Sequence, residues 1–226
     1  MYCSEHSLVK GDATGGIAVS LRCKRWDCEI CQPFNRLALI KLAKAGEPST
    51  FVTLTVNPSY LSSPDERAQA LVKAWRTVRR RIAKKHKVKS VAFIAVLEAT
   101  KRGEPHLHIL CRSKFISQKW LSDQLRELID APIVDIRKIQ DKGRAAAYCA
   151  KYCGKQPHKF ERTKRFWRSL DWRTDCQEEE ERPLPASEPW LKVRHGLDWV
   201  QARLRSDGWH TQRLPNRIVY MAVAPP

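Results

Sequence analysis

"SVAFIAVLEATKRGEPHLHILC", residues 90–111, decides how this chain folds. Two apolar runs rich in β-branched residues flank a short polar stretch, which is the pattern of a β-hairpin. "SVAFIAVLE" (90–98) reads as one strand and "HLHILC" (106–111) as the next. With "KRG" (101–103) as the loop, Gly103 takes the left-handed position that a three-residue loop favours. That register sets Glu98 opposite His106. Side chains alternate along a strand, so His106 and His108 share a face while Leu107 points the other way. Directly paired residues also share a face, which brings Glu98 to both histidines. A slip of one residue would turn Glu98 away from them.

The elements around the hairpin extend the pattern. "FVTLTV" (51–56) reads as a strand. "SPDERAQALVKAWRTVRRRIAKKH" (63–86) reads as a long helix, with Ser63 and Glu66 as a capping box and Pro64 in the first turn. Its buried stripe is Ala68, Leu71, Trp75, Val78 and Ile82. "SQKWLSDQLRELID" (117–130) reads as a second helix capped by Ser117, with Trp120, Leu121, Leu125, Leu128 and Ile129 toward the core. "IVDIRKI" (133–139) is a further strand. "RAAAYCAKYC" (144–153) is a helix stopped by Gly154. The order β-α-β-β-α-β predicts an α+β fold of the ferredoxin-like kind: a four-stranded antiparallel sheet with both main helices on one face. The other face is left for function.

The expected organisation has four parts. Residues 1–46 form a cysteine-rich segment ending in the helix "PFNRLALIKLAKAG" (33–46), with Pro33 in its first turn and Gly46 at its C-terminus. Residues 47–175 carry the core, including the added tyrosine-bearing helix. The acidic, proline-rich "EEEERPLPASEP" makes 176–189 a linker. Residues 190–226 are a C-terminal appendage with one helix pattern, "GLDWVQARLRSDG" (196–208), and one strand pattern, "RIVYMAV" (217–223).

The 226 residues carry a formal net charge of +18. Such an excess points to a polyanionic partner, with nucleic acid foremost. The longest apolar run, "VAFIAVL", is too short to span a bilayer, and no lipidation motif or signal-peptide core is visible. A reducing cytoplasm, without membrane, is the expected setting, so the eight cysteines read as thiols or metal ligands. No P-loop motif occurs.

Glu98, His106 and His108 form a carboxylate-plus-two-imidazole set suited to Mn²⁺, with Mg²⁺ or Zn²⁺ as alternatives. The competing reading is two half-exposed histidines beside a solvated glutamate. Thr53 and Thr55 share a strand face and belong either near that site or to the core. Tyr148, Lys151 and Tyr152 stand at i, i+3 and i+4 on one helical face, where Lys151 could hold a phosphate that a tyrosine oxygen attacks. The alternative is that both tyrosines pack the helix onto the sheet; Cys149 and Cys153 read as small buried thiols.

From Lys73 to Lys89 there are nine Lys or Arg and no acid. Arg76, Arg79, Arg80, Arg81, Lys84 and Lys85 suit contact with backbone phosphates. Arg165, Trp167 and Arg168, within the basic stretch 162–168, mix charge with stacking surface. General solubility is the other reading of both. "CKRWDCEIC" supplies Cys23, Cys28 and Cys31 as candidate structural zinc ligands, completed by Cys3 or by His6; unlinked thiols are the alternative.

Taken in chain order, "FVTLT" (51–55), "PHLHIL" (105–110) and "YCAKY" (148–152) resemble the three motifs of the HUH endonuclease superfamily, specifically of rolling-circle replication initiators. The paired tyrosines are most similar to the initiators of single-stranded DNA phages of the microvirus type and related plasmids. The resemblance covers about residues 50–155 and implies the same ferredoxin-like core. It implies that His106, His108 and Glu98 hold a divalent metal against the scissile phosphate of single-stranded or melted origin DNA. One of Tyr148 and Tyr152 then attacks, leaving a 5′-phosphotyrosine link and a free 3′-OH for a host polymerase, while the other serves the terminating cut. A host helicase is the expected partner for unwinding. The rivals are a transposase of the same superfamily and a non-catalytic ferredoxin-like module that binds nucleic acid.

Overall fold

The structure, a computed structural model, describes residues 3–131, 133–141, 144–145, 147–148, 159–172 and 189–213, and the backbone of 218–222. Contacts divide the chain into two compact units, Gln32–Cys176 and Met1–Cys31 with Gln177–Pro226. The division differs from the one expected, because the first helix joins the larger unit and the N-terminal stretch shares a unit with the C-terminal elements.

The larger unit begins with α1 (Gln32–Ala45), followed by β3 (Thr50–Thr55), α2 (Pro64–His86), β4 (Phe93–Ala99), β5 (Pro105–Cys111), α3 (Gln118–Ile129), β6 (Val134–Lys138) and β7 (Phe166–Arg168). The smaller contains β1 (Ser7–Gly11), β2 (Gly15–Ser20), β8 (Leu191–Val193), α4 (Leu197–Ser206), β9 (His210–Arg213) and β10 (Ile218–Ala222). The protein is thus mixed α+β with two antiparallel sheets. Among the described residues no helix is long and apolar enough to cross a membrane.

In the larger unit the sheet order is β6-β3-β5-β4-β7. It has five strands where the sequence suggested four, because Phe166–Arg168 adds antiparallel to β4. Trp167 pairs with Ala95 and packs partly buried against the core. That apolar contact, rather than any alternation visible in a basic stretch, makes the fifth strand. The core lies between one sheet face and the two helices: Val52, Leu54, Phe93, Ala95, Leu97, Leu107 and Ile109 meet Leu71, Trp75, Val78, Ile82, Leu121 and Leu125.

Local chemistry sets the ends of these elements. Ser63 and Glu66 close the capping box of α2, and Lys87 ends it in the left-handed conformation. Ser117 accepts from the Trp120 N–H to start α3. Gly46 has a different role from the flexible helix stop expected. Glu47, not Gly46, takes the positive φ, of 46°. A Cβ on Gly46 would lie 1.8–2.4 Å from the Trp172 ring, whose indole N–H donates to the Leu42 carbonyl at 2.8 Å. The glycine is a seat for that ring.

The smaller unit orders its sheet β8-β1-β2-β10-β9. The β1–β2 hairpin turns at Asp12, whose Oδ1 accepts from the N–H groups of Thr14 and Gly15 at 2.7 and 3.2 Å. A side chain on Gly11 would meet the Gly15 carbonyl at 2.7 Å, so the strands approach closely there. The buried apolar cluster of this unit is Ala18, Leu197 and Val200, with Val9, Val193 and Leu204 against it.

Candidate metal centre and nucleic-acid surface

The hairpin register is the one the sequence implies. Glu98 lies opposite His106 and Val96 opposite His108. Gly103 has φ 80° in the loop between them. Leu107 is fully buried on the helix side, which commits His106 and His108 to the open face. One donor atom from each of Glu98, His106 and His108 falls within 4.8 Å of the others. His108 Nε2 stands 2.8 Å from Glu98 Oε2. Neighbouring ligands on an ion with arms of about 2.1 Å lie about 3 Å apart, so the two are spaced as ligands are. Two imidazoles and a carboxylate fit a divalent ion and leave further coordination positions.

The neighbouring strand supports the site. Thr53 faces His108 across β3 and β5, and its Oγ1 lies 3.2 Å from His108 Nδ1. Thr55 pairs with His106 in register, but its hydroxyl donates to the Ile133 carbonyl. Burial holds the His106 imidazole below its ordinary pKa, with His108 adding to the effect and Glu98 and Glu104 opposing it. His106 is therefore neutral near pH 7, as a metal ligand must be.

Phe51 is an element of the site that sequence reading missed. Its ring stacks parallel to His108 at 5.9 Å. Tyr148 meets both rings edge-on, at 5.4 Å from Phe51 and 6.0 Å from His108. Period-two alternation from Thr53 was the available signal, since Phe51 shares its face. Arg144, Ala145, Ala147 and Tyr148 are helical. Lys151 and Tyr152, with Cys149 and Cys153, lie outside the described residues.

A second feature missed by the sequence braces the hairpin from below. Arg67, buried in α2, donates from Nε and Nη2 to the two carboxylate oxygens of Glu104, each at 2.8 Å, and from Nη1 to the Leu61 carbonyl. The pair anchors the loop leading into β5, and hence His106.

The basic residues separate into groups. Arg76, Arg80, Lys84 and Lys85 are exposed along α2. Lys85 holds its ammonium 4.8 Å from the Trp120 ring centre. Arg81 instead bridges to α3, donating to Gln124 and to both carboxylate oxygens of Glu127. Arg79 lies half-buried over the Phe93 ring. On the helix side of the sheet, Trp75, Arg76, Arg79, Lys89, Trp167 and Arg168 contribute to the walls of a groove of about 580 Å³. Arg165 joins β4 through its carbonyl, which accepts from the Leu97 N–H.

Cys3, Cys23, Cys28 and Cys31 converge within the smaller unit, their sulfurs within 4.8 Å of one another. As bare thiols they differ. Burial works to raise Cys3, but hydrogen bonds from the Cys23 backbone and the neighbouring thiols outweigh it and bring Cys3 down to about 7. Burial, helped by Cys3, pushes Cys31 up to about 12.

Comparison with known families accords with this geometry. Residues 49–157 match the family described as Replication-associated protein ORF2, a span that contains the metal-ligand candidates and Tyr148. The match supports a replication initiator family and a role in DNA replication. No curated protein matches the chain.

Proposed function

We propose that the chain is a metal-dependent, site-specific nickase and strand transferase that initiates and terminates rolling-circle DNA replication. The observation that carries this reading is the convergence of Glu98, His106 and His108 on one open sheet face, with the Tyr148 ring 6.0 Å from the His108 ring. Glu98, His106 and His108 hold Mn²⁺ or Mg²⁺. When bound, the ion draws negative charge from the scissile phosphate and so lowers the demand on the nucleophile.

The protein's own groups do the rest. A tyrosine phenol oxygen, of Tyr148 or Tyr152, attacks the phosphorus in line. The new O–P bond replaces the bond from phosphorus to the 3′-oxygen. The phenol loses its proton, and the departing oxygen gains one to become the free 3′-OH. Phosphate stays esterified, so a later 3′-OH can reverse the exchange and rejoin the strand. Lys151 neutralises the phosphate beside the tyrosines. Thr53 orients His108. The exposed cations of α2 hold single-stranded or melted origin DNA through its backbone. A host helicase and polymerase extend the freed end in the bacterial cytoplasm.

The test is incubation with single-stranded origin DNA and Mn²⁺, followed by a denaturing gel. A covalent protein–DNA band is expected, absent without metal and absent in the Y148F/Y152F double variant. DNA that is bound but never cut would instead identify a non-catalytic nucleic-acid-binding module.

A further inference from the structure

The geometry points to a second metal site: Cys3, Cys23, Cys28 and Cys31 bind one structural zinc ion, and that ion holds the smaller unit folded. Cys3 Sγ lies 3.3 Å from Cys31 Sγ, and Cys23 Sγ lies 3.7 Å from the same atom. Four thiolates on zinc arms of about 2.3 Å define a tetrahedron with edges of about 3.8 Å. The observed spacings fit ligands around a shared ion. All four sulfurs fall within 4.8 Å of one another, and the group is made of cysteines alone, without His6.

The backbone delivers the four sulfurs from two places. Cys3 precedes Ser4, which has φ 65° and donates its N–H to the Leu21 carbonyl at 2.8 Å. The Leu21 N–H in turn donates to the His6 carbonyl at 2.9 Å. This ties the segment before β1 to the segment after β2. Lys24, at φ 55°, turns the chain just past Cys23. The Cys31 N–H donates to the Cys28 carbonyl at 3.1 Å, closing the Cys-x2-Cys pair into a turn. Four thiolates on one Zn²⁺ leave a formal excess of two negative charges, and Arg22, Lys24 and Arg25 surround Cys23 in sequence.

The smaller unit has reason to depend on metal. Among the described residues its apolar cluster rests on Ala18, Leu197 and Val200, far fewer side chains than the larger unit buries. Small domains with such cores rely on disulfides or metals. Here the free thiols of Cys3, Cys23, Cys28 and Cys31 supply the ligands. Metal binding and folding of this unit are then one reaction.

The site goes beyond the nickase reading and is tested apart from it. The full chain, purified under reducing conditions, is analysed for metal in the H106A background, which removes the other candidate site. One zinc per chain is expected, and cobalt replacing it should give the intense visible absorption of a tetrahedral thiolate site. Hydrogen exchange is then followed on the wild-type chain before and after a strong chelator. Amides of β1 and β2 should exchange at least tenfold faster once zinc is removed, and those of β3 and β5 should not change. C23S should lose the zinc and C111A should keep it. Should C23S fail to fold, the chelator experiment on the wild-type chain still decides. No zinc in the purified chain, or β1 and β2 equally protected with and without it, overturns the proposal.

Discussion

Thr53 and His108 are cross-strand partners whose side chains meet, with Thr53 Oγ1 3.2 Å from His108 Nδ1. The hydroxyl can accept from Nδ1–H or donate to bare Nδ1. With metal on Nε2 the proton sits on Nδ1, and Thr53 then accepts it. This fixes the ring plane and the tautomer in which Nε2 is the free donor. T53V should weaken Mn²⁺ binding by about 10- to 100-fold, the usual effect of losing such a partner. Metal titration checks this, and T53S should recover most of the loss. Equal affinity in T53V and wild type would remove Thr53 from the site.

Acid should switch the centre off. The His106 pKa is held below its ordinary value, chiefly by burial. A histidine depressed in the fold binds fewer protons there than in the unfolded chain. Its contribution to stability is therefore complete above the unfolded pKa of about 6.5 and is lost as pH falls through the lower folded value. Metal affinity follows the same sign, since a protonated imidazole cannot ligate. Mn²⁺ binding measured from pH 8 downward should stay level to about 6.5 and then fall. In H106A the affinity should be low throughout and lose that inflection.

The Arg67–Glu104 pair should be costly to break from one side. Arg67 has a side-chain exposure of 6% and Glu104 of 20%. E104Q leaves a buried guanidinium without its counter-charge, a change that costs about 3–5 kcal/mol. Because Glu104 stands in the loop before His106, the same variant should also weaken metal binding. R67M/E104Q should be less destabilised than E104Q alone. Denaturant unfolding of the three variants measures this coupling.

Gly46 should tolerate no side chain. G46A drives a Cβ into the Trp172 ring, and overpacking of this kind costs about 1–3 kcal/mol. Thermal unfolding should show the loss, while Mn²⁺ affinity at low temperature should hold. A G46A chain as stable as wild type would show that the ring can move aside.

The exposed cations of α2 should act through charge number. Replacing Arg76, Arg80 and Lys84 together by Gln should weaken DNA binding similarly for every sequence. Every phosphate that is no longer neutralised should reduce the slope of log affinity against log salt by about 1. R81Q should behave differently, because its guanidinium is engaged with Glu127 and Gln124 and its removal shows in stability. Salt titrations of the two variants separate the roles.

What could be read from the residues alone was local. The turn at Gly103 and strict alternation along β5 set Glu98 beside His106 and His108. The capping box at Ser63 and the cap at Ser117 started both main helices where expected. Such features need only a few neighbouring residues, whose conformational preferences and spacing determine the outcome. Tertiary structure decided the contacts between distant segments. It added Phe166–Arg168 to the sheet edge, laid Trp172 on Gly46, paired Arg67 with Glu104, and stacked Phe51 on His108. It also brought Cys3 to the other three cysteines by closing the ends of the β1–β2 hairpin. Each of these depends on which surfaces pack and which loops close, and no local periodicity encodes that choice.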